Sequence, residues 1–246
     1  MRSTVVALVL VLLAAACGAG GEGRGPVRVS AAASLSDAFG EMATAFEAAH
    51  PGTDVVLNLG GSSRLAEQIA EGAPVDAFAS AAPAHMERLA AQGLVAEPVV
   101  IARNTMVIAV PPGNPAGITG PEDFARSDLV LGLCAPVVPC GEVAREALAR
   151  AGVRPLPDTE EPDVRSLLTK IEEGELDGGI VYATDVTSAE GRVESVSLGP
   201  GAEVATRYSM AVVVGATNAE TAARFTEFVL SPPGQEILAR FGFGPP

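Results

Sequence analysis

From residue 27 onward, short apolar runs alternate with segments whose apolar residues recur every three or four positions. The short runs have the length of buried strands, and the periodic segments read as amphipathic helices. Their alternation is the βαβ rhythm of an α/β fold. Val27–Ala33 reads as the first strand. Leu35, Phe39, Met42, Phe46 and Ala49 then form one helical stripe, stopped by Pro51-Gly52. A second strand is expected over 53–59. Gly60-Gly61-Ser62-Ser63 turns from it into a helix carrying Leu65 and Ile69, which ends at Gly72. Further strands are expected over 75–80, 98–110, 129–133, 179–183 and 207–215, with helices over 83–93, 142–151, 163–173, 219–230 and 234–241. The acidic run Glu160-Glu161-Pro162-Asp163 reads as a loop leading into a helix.

The length, 246 residues, suits two α/β lobes. The regions around Asn104 and around Gly199-Pro200-Gly201 are candidate crossovers, and the last two helices would return to the first lobe. This assigns 27–103 and 207–246 to lobe 1 and 104–206 to lobe 2.

The N-terminus departs from this rhythm. Arg2 precedes the apolar run Val5–Ala16, which meets Cys17. A positive start, a short apolar stretch and small residues read as a secretory signal. The ending Leu13-Ala14-Ala15-Ala16-Cys17 resembles a bacterial lipobox, so residues 1–17 are expected to be a lipoprotein signal peptide with Cys17 as the lipidated residue. An ordinary signal peptide with a chance cysteine is the plainer alternative. Residues 18–26 are glycine-rich, the composition of a flexible tether. The expected location is the outer face of the cell membrane, held by the lipid.

Export changes the reading of the other two cysteines. Cys134 and Cys140, in Cys-Ala-Pro-Val-Val-Pro-Cys, can oxidise outside the cytoplasm and are a candidate disulfide. Two thiols without further ligands make a poor zinc site.

Charge excludes one class of partner. Thirty acidic residues against sixteen basic ones leave a formal net charge of −14, with no basic stripe for nucleic acid. The same charge offers an anionic ligand no long-range attraction, so local geometry would have to bind it. Four junctions carry suitable groups: Ser34-Leu35-Ser36, Gly60-Gly61-Ser62-Ser63, Pro139-Cys140-Gly141 and Pro162-Asp163-Val164. Helix N-termini present unpaired N–H groups and a partial positive charge. A serine there is more often a simple cap. An exported hydrolase is the competing class. His50 and His85 neighbour no nucleophile in a recognisable pattern, and neither G-x-S-x-G nor a metal-ligand cluster occurs. Both histidines read as solvated.

At these junctions the chain resembles the molybdate-binding proteins of bacterial molybdate ABC transporters. The matching stretches include Ala31-Ala32-Ala33-Ser34-Leu35, Ser62-Ser63-Arg64-Leu65-Ala66-Glu67-Gln68-Ile69, and Glu71 through Ala81. Val138-Pro139-Cys140-Gly141, Asp163-Val164-Arg165 and Gly179-Ile180-Val181-Tyr182 follow in the family's order. The resemblance implies a two-lobed periplasmic-binding fold of type II, each lobe a mixed, mostly parallel sheet flanked by helices, with the ligand in the interlobe cleft. It implies hydroxyl and backbone donors from Ser34 and Ser62, backbone N–H groups from Cys140 and Val164, and the Tyr182 hydroxyl, with Ser63 a weaker candidate. Molybdenum would enter only as molybdate, without direct protein–metal bonds. Tungstate should bind as well, and no cofactor and no catalytic residue is expected. A monomer serving a molybdate permease and its ATPase follows from the same likeness. Two departures stand out: the family often has serines where Gly60-Gly61 stand, and alanine where Cys140 stands. A carrier of another small anion, such as sulfate, remains the alternative.

Overall fold

The computed structural model describes residues 25–246. The leader, Cys17 and residues 18–24 of the tether lie outside the described residues. The first βαβ pattern is realised closely. Strand β1 (Val27–Ala32) runs through a 3₁₀ turn (Ala33–Leu35) into α1 (Ser36–Ala49). Leu35, Phe39, Met42 and Phe46 are buried as the stripe requires, whereas Ala49 is exposed because it falls in the last turn. Next come β2 (Val55–Gly60), α2 (Ser62–Ala70), β3 (Ala77–Ser80) and α3 (Pro83–Ala91). Gly72 takes φ +87°, the left-handed geometry that ends the α2 segment.

The 98–110 run is one long strand, β4 (Val99–Val110). Strand β5 (Leu131–Cys134) leads to α4 (Pro139–Arg150), which starts three residues earlier than its apolar period indicated. Pro139 lacks an N–H that a first helical turn would leave unpaired, so it opens the helix without loss. The acidic run is partly strand: β6 (Thr159–Glu161) pairs with β5, and Asp163 then caps α5 (Val164–Glu172) by accepting the Ser166 N–H at 2.9 Å. Beyond β7 (Gly178–Tyr182) come α6 (Ala183–Ser188) and β8 (Glu194–Val196), both too short for periodicity to reveal. Strand β9 (Ala205–Val212), α7 (Ala219–Leu230) and α8 (Pro232–Arg240) complete the chain.

Among the described residues the strands order as β2-β1-β3-β9-β4-β7-β5-β6, with β8 pairing β4. Each flank is parallel: β2-β1-β3 on one side and β7-β5-β6 on the other. The antiparallel ladders involve β4 and β9 and join the flanks. The chain therefore crosses between flanks on β4 and returns on β9. Arg103 lies opposite Arg207 and Asn104 opposite Thr206 on that ladder. Helices α1 and α7 pack by aromatic edges, with Phe225 set against Phe39 and Phe46 at centroid separations of 6.0 and 5.2 Å. That contact brings the C-terminal helices back onto the first flank.

Candidate functional site

Within each flank the carboxyl ends of the parallel strands lie together, and helices begin there. Such strand ends are where open α/β sheets present ligand-binding crevices. Ser34 sits in the 3₁₀ turn after β1. Ser62 is the first residue of α2, with Gly61 as its N-cap. Cys140 is in the first turn of α4, Val164 opens α5, and Tyr182 closes β7. All five line one cavity enclosing about 210 Å³ of empty space, partly open to solvent. Room for the centre of a water-sized sphere is only about 10 Å³, so the occupant must be compact. Ser63 is buried but does not line this cavity. A larger depression near Arg28, Asp76 and Thr217 lies at the strand starts, away from Ser34, Ser62, Cys140, Val164 and Tyr182.

The donors are presented in two ways. The first N–H groups of α2, α4 and α5 have no intrahelical acceptor and carry the positive end of the helix dipole. The hydroxyls are directed by bonds to the protein. Ser62 Oγ accepts the Ala81 N–H at 3.1 Å, which leaves its own hydrogen free. Ser34 Oγ lies 2.8 Å from the Tyr208 hydroxyl. Tyr182 Oη is buried without a partner of good hydrogen-bonding geometry, and the neighbouring Tyr208 hydroxyl is near enough to interact with it. Burial pushes its ionisation well above the usual tyrosine range, so it keeps its proton.

No Lys, Arg or His lines the cavity. Asp163 is the charged residue of the lining, and its Oδ1 is engaged by the Ser166 N–H. Beside Tyr182, Asp185 accepts the Tyr182 N–H at 3.0 Å through Oδ2. Burial pushes the Asp185 carboxyl up to about 7; Arg165 pulls it down, and Asp37 and Asp163 push it up. Among the described residues no cluster of His, Cys, Asp or Glu could hold a metal ion.

The two flanks meet at the cavity mouth. A Cβ on Gly61 would lie 2.8 Å from the Pro162 carbonyl oxygen and 3.5 Å from Val138 Cγ1, so only glycine lets the backbones approach this closely. Arg165 of α5 forms an ion pair with Asp37 of α1 across the same gap. Cys134 and Cys140 are joined by a disulfide with Cα atoms 5.7 Å apart. It ties the end of β5 to the first turn of α4. At Gly141 an added Cβ would fall 2.0 Å from the Ala135 carbonyl oxygen, so that turn packs tightly on the disulfide loop.

The histidines are less solvated than their positions suggested. His50 stacks on Phe46 with a centroid distance of 4.2 Å. His85 Nε2 is buried without a partner, and desolvation together with Arg88 lowers its pKa. Neither lines the cavity. Sequence reasoning also missed Tyr208, Asn104 and Asp185. Tyr208 carried a usable signal: the chain has two tyrosines, and the scarcity that singled out Tyr182 applied equally to it.

The profile of bacterial extracellular solute-binding proteins matches residues 27–244. The chain belongs to this family. It is a solute-binding protein and not an enzyme, which removes the exported hydrolase from consideration. The molybdate-binding protein ModA of Mycobacterium tuberculosis is 38% identical over 219 residues, spanning 89% of this chain and 84% of that protein. Two solved structures share the fold. The Azotobacter vinelandii periplasmic molybdate-binding protein superposes with a TM-score of 0.79 at 19% identity, covering 89% of this chain and 99% of that one. The sulfate-binding protein SubI of Mycobacterium tuberculosis superposes at 0.78 with 19% identity, covering 89% and 86%. The expected α/β binding-protein fold is thereby established, and the family places its members outside the cytoplasm.

Proposed function

We propose that this solute-binding protein captures molybdate, and tungstate with it, and delivers the oxyanion to an ABC permease and its ATPase. The observation that carries the reading is the ring of uncharged donors around one small cavity. Ser34 and Ser62 supply hydroxyls from the first flank. Cys140 and Val164 supply main-chain N–H groups from the second, and Tyr182 supplies its phenol. Ser63 serves only as a neighbour of Ser62. Molybdate is a fully deprotonated dianion at neutral pH, so it needs donors and no acceptor. Preorganised dipoles in a water-excluded site can replace its hydration without a counter-charged side chain. Each such charge-assisted bond contributes about 1.5–3 kcal/mol net. Five of them, less the cost of ordering, suffice for about micromolar binding or tighter. The 38% identity to ModA over most of the chain supports the choice of molybdate among tetrahedral dianions.

On this reading lobe 1 comprises 27–103 and 207–246 and lobe 2 comprises 104–206, hinged at the paired positions of β4 and β9. Closure brings Gly61 onto Pro162 and Asp37 onto Arg165. Lipidation at Cys17 would hold the protein at the outer membrane face within reach of its permease, and the protein acts as a monomer.

Titration calorimetry of residues 25–246 with molybdate, tungstate, sulfate and phosphate tests the assignment. The expected result is tight, mutually competitive binding of molybdate and tungstate and weaker binding of the other two. Tight sulfate binding without molybdate binding would replace molybdate by sulfate as the cargo.

A further inference from the structure

The chain carries a formal net charge of −14, so at long range the protein repels an anionic ligand. No cationic side chain lines the cavity, yet one lies directly behind its wall. Gly60, the last residue of β2, is buried and lines the cavity. Against it lies the guanidinium of Arg64, the third residue of α2. A Cβ on Gly60 would meet Arg64 Nη2 at 2.6 Å, Cζ at 3.4 Å and Nε at 3.5 Å. The planar group therefore rests on the one residue type too small to push it away. Arg64 itself is exposed, so its charge is also open to solvent.

Local rules disfavour a cation at this position. The first turn of a helix is the positive end of its dipole, where carboxylates stabilise and cations do not. Helix α2 has no acidic residue in its first turn to offset Arg64. Arg165 stands in the first turn of α5 in the same way, but it is ion-paired with Asp37. Among the described residues no carboxylate lies within ion-pairing distance of Arg64. A local rule broken without a compensating contact is the mark of a functional constraint. The guanidinium and the α2 dipole both raise the potential on the same side, where Gly60, Gly61 and Ser62 face the cavity.

We propose that Arg64, kept unpaired in the first turn of α2 and packed on Gly60, is a recruiting charge that draws the oxyanion into the cavity against the net negative charge of the protein. This rests on the oxyanion-binding reading above. Arg64 does not line the cavity, so it acts through space and not by a hydrogen bond to the ligand. Such an attraction is twice as strong for a dianion as for a monoanion, and salt screens it. The hydrogen-bonding groups of the cavity are shielded from salt by comparison. The two contributions therefore separate by ionic strength: the donors hold the ligand at any salt, and Arg64 adds to them only when the solution is dilute. Its placement also sets binding against stability, because the charge that attracts the ligand opposes the helix dipole.

The test is calorimetry with molybdate at low and high salt on wild type, Arg64→Gln, Arg64→Lys and Arg88→Gln, with the ligand-free melting temperature of each. Arg88 is an exposed arginine in the last turn of α3, so its removal changes the net charge equally but away from the cavity wall. Arg64→Gln should weaken molybdate binding about threefold at roughly 20 mM salt and hardly at all at roughly 1 M, where the screening length is about 3 Å. Its melting temperature should hold or rise, since an unfavourable charge leaves the helix start. Arg64→Lys should keep most of the affinity, and Arg88→Gln should keep nearly all of it. An unchanged affinity of Arg64→Gln at low salt overturns the proposal. So does a loss that persists at high salt, a loss accompanied by a lower melting temperature, or an equal loss in Arg88→Gln. Wild type that binds no oxyanion overturns the underlying reading as well.

Discussion

The two flanks supply the cavity with donors of different kinds. The first flank relies on side chains: Ser34 and Ser62 are hydroxyls, each hydrogen-bonded to a distant part of the chain. The second relies mainly on main chain, with Cys140 and Val164 offering the first-turn N–H groups of α4 and α5 and Tyr182 adding the flank's one side-chain donor. A side-chain donor can be deleted by one substitution. A main-chain donor survives any substitution that keeps the helix start, and it is lost only when the scaffold around it moves. The two halves of one site should therefore respond to mutation in opposite ways.

The largest expected effect breaks this comparison open. Ser34→Ala with Ser62→Ala should weaken molybdate binding by about a hundredfold or more, since two charge-assisted donors are lost. Val164→Ala should change it less than about twofold, because the N–H stays. Calorimetry on both variants checks the pair of outcomes, and equal losses would abolish the distinction between flanks. Next in size is Gly61→Ala, placed where the flanks touch. Its methyl group would meet the Pro162 carbonyl oxygen at 2.8 Å. Overpacking of this kind costs about 1–3 kcal/mol, so affinity should fall at least about fivefold. The ligand-free melting temperature should hold if the flanks are apart in solution, and scanning calorimetry reads that directly.

A smaller effect probes the second flank's scaffold. Replacing Cys134 and Cys140 by serine opens the disulfide beneath the first turn of α4. Loop-closure entropy for so short a loop predicts a loss of about 2 kcal/mol in stability, seen in denaturant titrations. Affinity should fall only a few-fold, because the Cys140 N–H remains. The smallest effect is a pH slope. Asp185 is pushed by burial from the ordinary 3.8 up to about 7 in the folded protein. A raised carboxyl favours the folded state fully below the unfolded value. That contribution is lost as pH climbs from about 4 to about 7. Asp185→Asn should flatten this decline while keeping an acceptor for the Tyr182 N–H. Parallel slopes for both proteins in thermal unfolding against pH would contradict it.

Much of this site was legible beforehand for a local reason. The α1 stripe and the small-residue turns before α2 and α5 are short-range patterns that dictate where helices start. Helix starts are where unpaired N–H groups must be. Reading Ser34, Ser62, Cys140, Val164 and Tyr182 as candidates required only that information and the family likeness. The early start of α4 was missed because Pro139 and Cys140 carry no periodic signal. Strands β6 and β8 were missed because three residues hold too little pattern. Tyr208 and Asn104 were invisible as site residues. They meet Ser34 and Thr184 across 174 and 80 residues of chain.

The residue pattern alone therefore determined the alternating elements, the family and the chemical character of the donors, since all three are set by composition and spacing within a few turns. Only the tertiary structure decided that β4 and β9 join the flanks, that Gly61 meets Pro162, and that the Tyr208 hydroxyl lies beside Ser34. Those facts depend on which distant segments share a hydrogen-bonding edge, and no local periodicity encodes the choice of partner.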